Sequence, residues 1–364
     1  MTRMSFFGSL SSSFGTVSIA NIREMIGTSE PPSSPSTVVT TAEAELPSLT
    51  TSYLRPSIRN APQSSALLTS QEQEAMMALG ARIVRDEVTK HLRDDPTLAG
   101  PLLRLAFHDA ATREADEDDG DTDGLFTGGP NGSIQYELEW SENRGLGRPL
   151  QVVQQMYEMV EGYISLADTI ALAGAAAVEN AGGPKISVKL GRVDAAEADP
   201  RKRRRTLQMD TDRSLVDTTL PSAALDSDGL RLYFGALGLT EEEFVALCGA
   251  HDLGRHVTLL DMPKSCLRNL TRDCLENAPV LMPFVAEEPN RLSNAYFRKL
   301  LKWYDRKVEL GEVAFIPTDV AMVVDAGLRK YVQKFAKSES AFESAFASAY
   351  QKLVDSSTIT QNRY

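Results

Sequence analysis

The stretch Pro101-Leu-Leu-Arg-Leu-Ala-Phe-His-Asp-Ala-Ala-Thr112 decides how this chain folds and where its chemistry lies. Residues at i, i+3 and i+4 of a helix share one face, so Arg104, Phe107 and His108 point the same way. The other positions are mostly Leu and Ala, which predicts a buried helix. A buried Arg and His need a polar group to face. Taken alone, they are better explained as structural ion-pair partners of a nearby acid, and Asp109 is available.

Two further segments carry residues of the same kind. Glu241-Glu-Glu-Phe-Val-Ala-Leu-Cys-Gly-Ala-His251 ends in a histidine after two small residues, which leave room for a flat, bulky group near the backbone. Ile316-Pro-Thr-Asp319 offers a carboxylate at a helix start. A metal-binding His commonly donates its other ring N–H to a carboxylate. Two His, one Arg and one Asp suit a haem iron between two helices, whereas zinc needs three or four ligands close together.

Composition limits the possible functions. The chain has 364 residues, 42% of them hydrophobic, and a formal net charge of −12. This acidity argues against a nucleic-acid or anionic-membrane partner, and the basic run Arg201–Arg205 is predicted to be a solvated loop. No apolar run reaches about 18 residues, so no membrane span is expected. Three cysteines suggest a reducing compartment, although Cys266 and Cys274 could pair.

Three regions follow from the pattern along the chain. Residues 1–68 are rich in Ser, Thr and Pro and are predicted to be disordered. The first twenty or so residues contain Arg3 and no acid, which is compatible with an organelle-targeting peptide or an ordinary disordered tail. Residues 69–356 form the predicted domain, and 357–364 form a tail.

Helical periodicity dominates the predicted domain. Helices are predicted near residues 71–92, 99–111, 149–158, 165–178, 227–236, 240–252, 292–303, 318–336 and 338–354. Strand-like alternation is confined to short pieces such as Ile186–Leu190. The acidic stretch 114–123 and the proline-containing stretch 261–291 are predicted to be surface insertions.

Ordered blocks of the sequence resemble those of the plant-type haem peroxidases. They are Leu103–Thr112, Gly128–Ile134, Ser165–Gly174, Gly182–Pro184, Leu190–Asp194, Val245–Gly254 and Pro317–Asp319. The C-terminal stretch Ala321–Leu353 and the run Tyr136–Glu139 are most similar to class I, in the ascorbate-peroxidase-related branch. The resemblance covers about residues 71–355.

This resemblance implies an all-α fold of about ten helices with few short strands. Haem b would lie between a distal half, about residues 69–180, and a proximal half, about residues 220–356. The implied activity is reduction of hydrogen peroxide by a small organic or protein electron donor, as part of peroxide detoxification and the oxidative stress response. From the composition of its N-terminal segment, the expected location is an organelle such as the plastid, or otherwise the cytoplasm.

The resemblance also assigns roles on the distal side. His108 is the base that moves a proton between the peroxide oxygens, and Arg104 stabilises the charge of the breaking O–O bond. Asn143 is expected to bind His108 and keep it neutral, or else to be an ordinary turn residue. Glu137 and Glu139 are alternative candidates for the neighbouring position in the hydrogen-bond network of His108.

On the proximal side, the resemblance makes His251 the iron ligand and Asp319 the carboxylate that increases its electron donation. The alternative for Asp319 is a helix cap. Phe107 stands where the ascorbate group usually has Trp. No Trp lies near Phe284 or Val285, where the proximal Trp of the group would fall. The second oxidising equivalent is therefore expected on the porphyrin, or on a Tyr or Trp elsewhere.

The electron donor is not assigned by the resemblance. Leu260 stands at the apparent position of the basic residue that binds ascorbate in that group, so ascorbate is a doubtful donor unless Arg255 or Lys264 substitutes. Thr97 and Pro101 stand where a fungal-type manganese site would have acids.

A cation site is a further candidate. Asp109, Gly129, Asn131 and Ser133 have the spacing with which the secreted classes hold a distal calcium, so Ca²⁺ or K⁺ is a possible ligand. Asp252 could likewise hold a cation or simply be solvated at a helix end.

A competing hypothesis is a peroxidase-like protein without haem or turnover that serves as a structural or binding subunit. A third is an all-α scaffold whose histidines are incidental. Retention of the two His, the Arg and the Asp argues against the first of these, while the absent Trp, the missing ascorbate-binding residue and the long insertions argue for it. The scaffold hypothesis would require the ordered blocks to be a coincidence. The sequence does not indicate an oligomeric state.

Overall fold

The computed structural model describes residues 69–115, 126–200, 220–221, 223, 225–257, 281–308 and 313–356. Contacts divide the chain into two units, Met1–Leu79 and Gly80–Tyr364. In the first unit, the Thr69 hydroxyl accepts the N–H of Glu72 at 3.2 Å, and the Glu72 carboxylate accepts the N–H of Thr69 at 2.9 Å. This reciprocal capping box starts the first helix where the helical periodicity of the sequence begins.

Ten α-helices form most of the described part of the chain, which confirms the predicted all-α class. They are α1 (Ser70–Asp94), α2 (Ala99–Ala110), α3 (Gly147–Val160), α4 (Leu166–Asn180), α5 (Ser227–Ala236), α6 (Glu241–Cys248), α7 (Ala295–Tyr304), α8 (Pro317–Val324), α9 (Ala326–Lys337) and α10 (Glu339–Val354). Short 3₁₀ turns lie at Pro96–Leu98, Ser133–Tyr136, Ser141–Asn143 and Gly249–Leu253. None of the described helices combines the length and the apolar character needed to cross a bilayer.

The helix α4 lies at the centre of the second unit, and every residue from Leu166 to Val178 is buried. It packs most extensively against α2. A Cβ on Gly174 would lie 2.6 Å from the Cβ of Ala106 and 2.2 Å from the hydroxyl of Tyr350. Only glycine allows α2, α4 and α10 to approach this closely. The Tyr350 hydroxyl donates to the carbonyl of Ala171 at 2.8 Å and joins α10 to α4.

An aromatic cluster supports the Gly249–Leu253 turn. Its members, on α7, α9 and α10, are Phe297, Phe335, Phe342 and Phe346. The rings of Phe297 and Phe342 are 5.1 Å apart. A Cβ on Gly249 would lie 2.6 Å from the ring of Phe342, so glycine lets the turn rest directly on the cluster. This packing fixes the backbone that carries His251.

The segments that carry the two candidate histidines touch at one end. A Cβ on Gly100, at the start of α2, would lie 2.4 Å from the carbonyl oxygen of Leu253. His108 lies two turns further along α2, about 12 Å from this contact along the helix axis.

Two short antiparallel strand pairs flank the insertions. β1 (Glu114–Ala115) pairs with β2 (Phe126–Thr127), and β3 (Arg255–Val257) pairs with β4 (Leu281–Pro283), with Arg255 opposite Pro283. Residues 116–125 and 258–280 lie outside the described residues, and they include most of the two predicted insertions, 114–123 and 261–291. The chain therefore leaves for each insertion and returns from it on adjacent strands.

The predicted strand at Ile186–Leu190 is wrong. The N–H of Ile186 donates to the Glu179 carboxylate at 2.9 Å, and the N–H of Lys189 donates to the Asp355 carboxylate at 3.1 Å. Because side chains accept these N–H groups, the segment needs no partner strand.

The predicted helix over 318–336 is two helices. Asp325 between α8 and α9 has φ −67° and ψ 124°, and its carboxylate accepts the N–H of Leu328 at 2.8 Å as an N-cap. The predicted helix at 240–252 also ends early, at Cys248, and continues as the 3₁₀ turn. The other predicted helices agree with the structure to within three residues at each end.

Several sequence predictions concern residues outside the described ranges. They are the N-terminal segment 1–68, the run Arg201–Arg205, Leu260, Lys264, Cys266, Cys274 and the tail 357–364.

Candidate active site

His108 on α2 is buried and bound to an amide. Its Nδ1 lies 2.7 Å from Oδ1 of Asn143, whose Nδ2 donates to the carbonyl of Glu137 at 3.0 Å. A carbonyl only accepts, so it orients the amide and leaves Oδ1 as an acceptor. Nδ1 of His108 therefore carries the proton, and Nε2 is the basic nitrogen.

This imidazole is neutral near pH 7. Burial lowers the pKa of His108 well below its usual range, the positive charge of Arg104 lowers it further, and the hydrogen bond to Asn143 opposes both. Nε2 of His108 can therefore accept a proton at neutral pH.

Arg104 is held by the same loop that binds His108. Its Nη1 donates to the carbonyl of Arg144 at 2.8 Å, and its Nη2 donates to the carbonyl of Glu142 at 2.7 Å. The side chain is exposed, yet desolvation by the surrounding protein lowers the pKa of Arg104 to about 10. This guanidinium stays charged at neutral pH.

Phe107 connects α2 to α5 by ring contacts. Its ring lies 5.8 Å from that of His108, edge to face, and 6.4 Å from that of Phe234 on α5. Phe234 in turn stacks on Phe244 of α6 at 5.3 Å. The phenyl ring packs as an apolar wall beside His108 and offers no hydrogen-bonding group.

His251 binds a buried carboxylate at the start of α8. Its Nδ1 lies 2.7 Å from Oδ1 of Asp319, which also accepts the hydroxyl of Tyr296 at 2.5 Å. Oδ2 of Asp319 accepts the N–H of Ile316 at 2.9 Å. Asp319 therefore caps α8 and also binds His251. The two roles that the sequence offered as alternatives are both present in the structure.

The surroundings of the His251 ring show which of its two nitrogens could bind a metal. The ring stacks on Phe284 with centroids 4.3 Å apart and an interplanar angle of 14°. The side chain is 29% exposed, whereas that of Asp319 is fully buried. With Nδ1 engaged, Nε2 has no hydrogen-bond partner among the described residues and is the nitrogen available to a ligand.

Asp109 is not the ion-pair partner of the distal side chains. Within the described residues it pairs with neither Arg104 nor His108; it accepts the N–H groups of Gly132 and Ile134 at 3.1 and 3.3 Å. Burial raises the pKa of Asp109 to about 8, which favours its neutral form.

The other candidate cation ligands also belong to a hydrogen-bonded loop. Oδ1 of Asn131 accepts the N–H of Ser133 at 3.0 Å, and Nδ2 donates to Asp199 at 2.8 Å. The N–H of Gly129 donates to Thr112 at 2.9 Å. In the part of the chain that the structure describes, no group of three or more His, Cys, Asp or Glu could hold a metal ion.

A peroxidase family model matches residues 84–338. This chain belongs to the peroxidase family. The match includes the distal helix α2, the His251 turn and Asp319, so the site lies within the shared domain.

Relatives of this peroxidase come from plants and fungi. It is 33% identical over 261 residues to "Putative L-ascorbate peroxidase 6" of Arabidopsis thaliana, and the aligned region covers 71% of this chain and 64% of that protein. It is 31% identical over 290 residues to "Cytochrome c peroxidase, mitochondrial" of Cryptococcus neoformans, which covers 75% of this chain and 65% of that protein. The match thus spans slightly less than two thirds of each relative's length.

The residues present in this peroxidase suit a haem. A partly exposed imidazole has one free nitrogen and a buried carboxylate behind it, as iron-binding histidines commonly do. A second, neutral imidazole, His108, and the guanidinium of Arg104 lie one turn apart on another helix, α2. This donor set offers one protein ligand to the metal and two polar side chains to a small molecule.

Sequence reasoning missed two groups in this peroxidase and misjudged a third. Tyr296 and Asp199 have no local signal, because their partners Asp319 and Thr112 lie 23 and 87 residues away. Asp252 is buried rather than solvated: it accepts the N–H and hydroxyl of Ser293 at 2.8 and 3.0 Å.

Proposed function

We propose that this chain is a haem-dependent peroxidase that reduces hydrogen peroxide to water with electrons from a small organic molecule or a protein. One observation carries the proposal: the two histidines have opposite kinds of partner. His108 is neutral and bound to an amide, while His251 is bound to a buried carboxylate. The first arrangement suits a proton acceptor and the second a metal ligand.

Nε2 of His251 would hold the iron of haem b, and Asp319 would increase electron donation by the imidazole. When bound there, haem would supply the electrons that reduce the peroxide, and the donor would replace them. The stacking of Phe284 on His251 keeps the ring in one orientation.

His108 and Arg104 act on the peroxide. Nε2 of His108 takes the proton from one oxygen of hydrogen peroxide and delivers it to the other, which leaves as water. The guanidinium of Arg104 stabilises the negative charge on the departing oxygen, and two backbone carbonyls hold it in place beforehand. Asn143 keeps the proton of His108 on Nδ1, so that Nε2 is free at the start.

Replacing the base tests this assignment. His108→Leu should lower kcat/KM for peroxide by roughly 10²–10⁴-fold, the usual contribution of a positioned base. The haem absorption spectrum should persist, because His108 is not the iron ligand. Wild-type kcat/KM in the haem-loaded variant would refute the role of His108.

We propose that the electron donor is not ascorbate, because Leu260 replaces the basic residue of the ascorbate group. Parallel assays of peroxide-dependent oxidation with ascorbate, a guaiacol-like phenol and cytochrome c would compare the donors. A rate with ascorbate above those with the other two would overturn this proposal.

We propose that residues 69–356 form the catalytic domain and that the preceding segment directs the chain to an organelle, with the plastid as first candidate. Relatives include a protein named "Probable L-ascorbate peroxidase 8, chloroplastic" from Oryza sativa. Residues 1–68 fused to a fluorescent protein should enter plastids, and a purely cytosolic signal would contradict the targeting role.

We propose that the loop around Gly129, Asn131 and Ser133 is a hydrogen-bonded brace rather than a Ca²⁺ or K⁺ site. The Asp109 carboxylate and the Asn131 amide oxygen, which would be its cation ligands, already accept backbone N–H groups. Added Ca²⁺ or a chelator should leave the unfolding temperature unchanged, and a rise with Ca²⁺ would restore the cation site.

A further inference from the structure

The carboxylate behind His251 is shared between two donors on the same oxygen. Oδ1 of Asp319 receives the imidazole N–H at 2.7 Å and the Tyr296 hydroxyl at 2.5 Å. At this separation the phenol keeps its proton and donates a short hydrogen bond to the carboxylate. The oxygen that accepts the His251 N–H therefore also gives up electron density to Tyr296.

The phenol cannot easily leave this position. Tyr296 is fully buried on α7. Its ring lies edge to face with those of Phe297 and Phe315, at 5.0 and 5.8 Å. The same ring also lies 6.0 Å from that of His251, so the tyrosine packs against the imidazole whose partner it binds.

Two hydrogen bonds to the same acceptor oxygen compete for its negative charge, and the low dielectric of the interior makes this electrostatic effect stronger than in water. Each donor to Asp319 reduces the negative charge that remains for the others. The Tyr296 hydroxyl therefore weakens the pull of Asp319 on the His251 N–H and reduces the imidazolate character of the ring.

We propose that Tyr296 is a positioning residue that sets, through Asp319, how strongly His251 donates electrons to the iron. This inference rests on the proposed function, since it requires haem on His251. Phe284 and Asp319 orient the imidazole, and Tyr296 adjusts its donor strength.

The test is Tyr296→Phe in the haem-loaded protein, with the iron–histidine stretching frequency of the ferrous form and the ferric/ferrous midpoint potential as readouts. Loss of the hydroxyl returns charge to Asp319, so the stretching frequency should rise and the midpoint potential should become more negative. If Tyr296 had only a structural role, its replacement would not raise the stretching frequency and make the midpoint potential more negative together.

Tyr350→Phe is the matched control. Tyr350 is equally buried, and its hydroxyl donates to the Ala171 carbonyl between α10 and α4. Both readouts should keep their wild-type values. Equal shifts in both variants would overturn the proposal, as would no shift in Tyr296→Phe.

Replacement of Tyr296 by 3-fluorotyrosine keeps the fold and strengthens the hydroxyl as a donor. It should shift both readouts opposite to Tyr296→Phe, and an unchanged or same-direction shift would overturn the proposal. Failure of the wild-type chain to bind haem would instead refute the proposed function itself.

Discussion

At the scale of single residues, the charge of Arg104 acts on the imidazole one turn away on α2. Arg104→Gln removes that charge, so the pKa of His108 should rise. Activity requires neutral His108 and falls as pH drops through its pKa. The acid limb of kcat/KM against pH should therefore move to higher pH.

Arg148→Gln provides the control for this shift, because Arg148 is exposed and pairs with Asp95 at 2.6 Å. Its acid limb should coincide with that of the wild type. An acid limb that stays in place or moves to lower pH in Arg104→Gln would contradict the assigned coupling.

At the scale of elements, the contact of α2 with the Gly249–Leu253 turn depends on one glycine. Gly100→Ala places a Cβ 2.4 Å from the Leu253 carbonyl, and backbone must move to relieve the clash. We expect a loss of about 1–3 kcal/mol in unfolding free energy, as for other overpacking substitutions. Denaturant unfolding measures it.

Gly147→Ala is the matched substitution in a helix, since nothing lies within 4 Å of the added Cβ. It should be neutral or stabilising by up to about 1 kcal/mol. Equal stability of the two variants would show that α2 and the turn can separate without cost.

Local patterns were sufficient to predict most elements. Periodic apolar residues located α3 and α10, because burial of one helix face repeats every three to four residues. The prediction was wrong where a side chain satisfied backbone groups from a distance. Glu179 and Asp355 replaced a partner strand at Ile186–Leu190, and the cap by Asp325 split one predicted helix.

At the scale of the whole molecule, the site is assembled from distant segments. The pair Arg104 and His108 was visible in the sequence because both lie on one helical turn. The bond from His108 to Asn143 spans 35 residues and that from His251 to Asp319 spans 68. Family resemblance suggested these partners, and no local spacing could have done so.

Buried acids make the stability of the whole molecule depend on pH. Burial raises the pKa of Glu137 to about 7 and that of Asp109 to about 8. In the unfolded chain both ionise near pH 4. Their favourable contribution is full below about pH 4 and is lost as pH rises to about 8.

Glu137→Gln should therefore reduce the loss of stability between pH 5 and pH 8 by about 2 kcal/mol. Glu158→Gln, an exposed change on α3, should keep the wild-type slope. Denaturant unfolding at each pH measures both variants. The same slope in all three proteins would contradict the burial of an ionisable Glu137.

The most direct test of the central claim, that His251 holds a haem iron, is a haem titration followed by the Soret band. The wild type and His108→Leu should each bind one haem and give a strong band, whereas His251→Ala should give none. A wild-type chain without the band, or a His251→Ala variant that keeps it unchanged, would contradict the account.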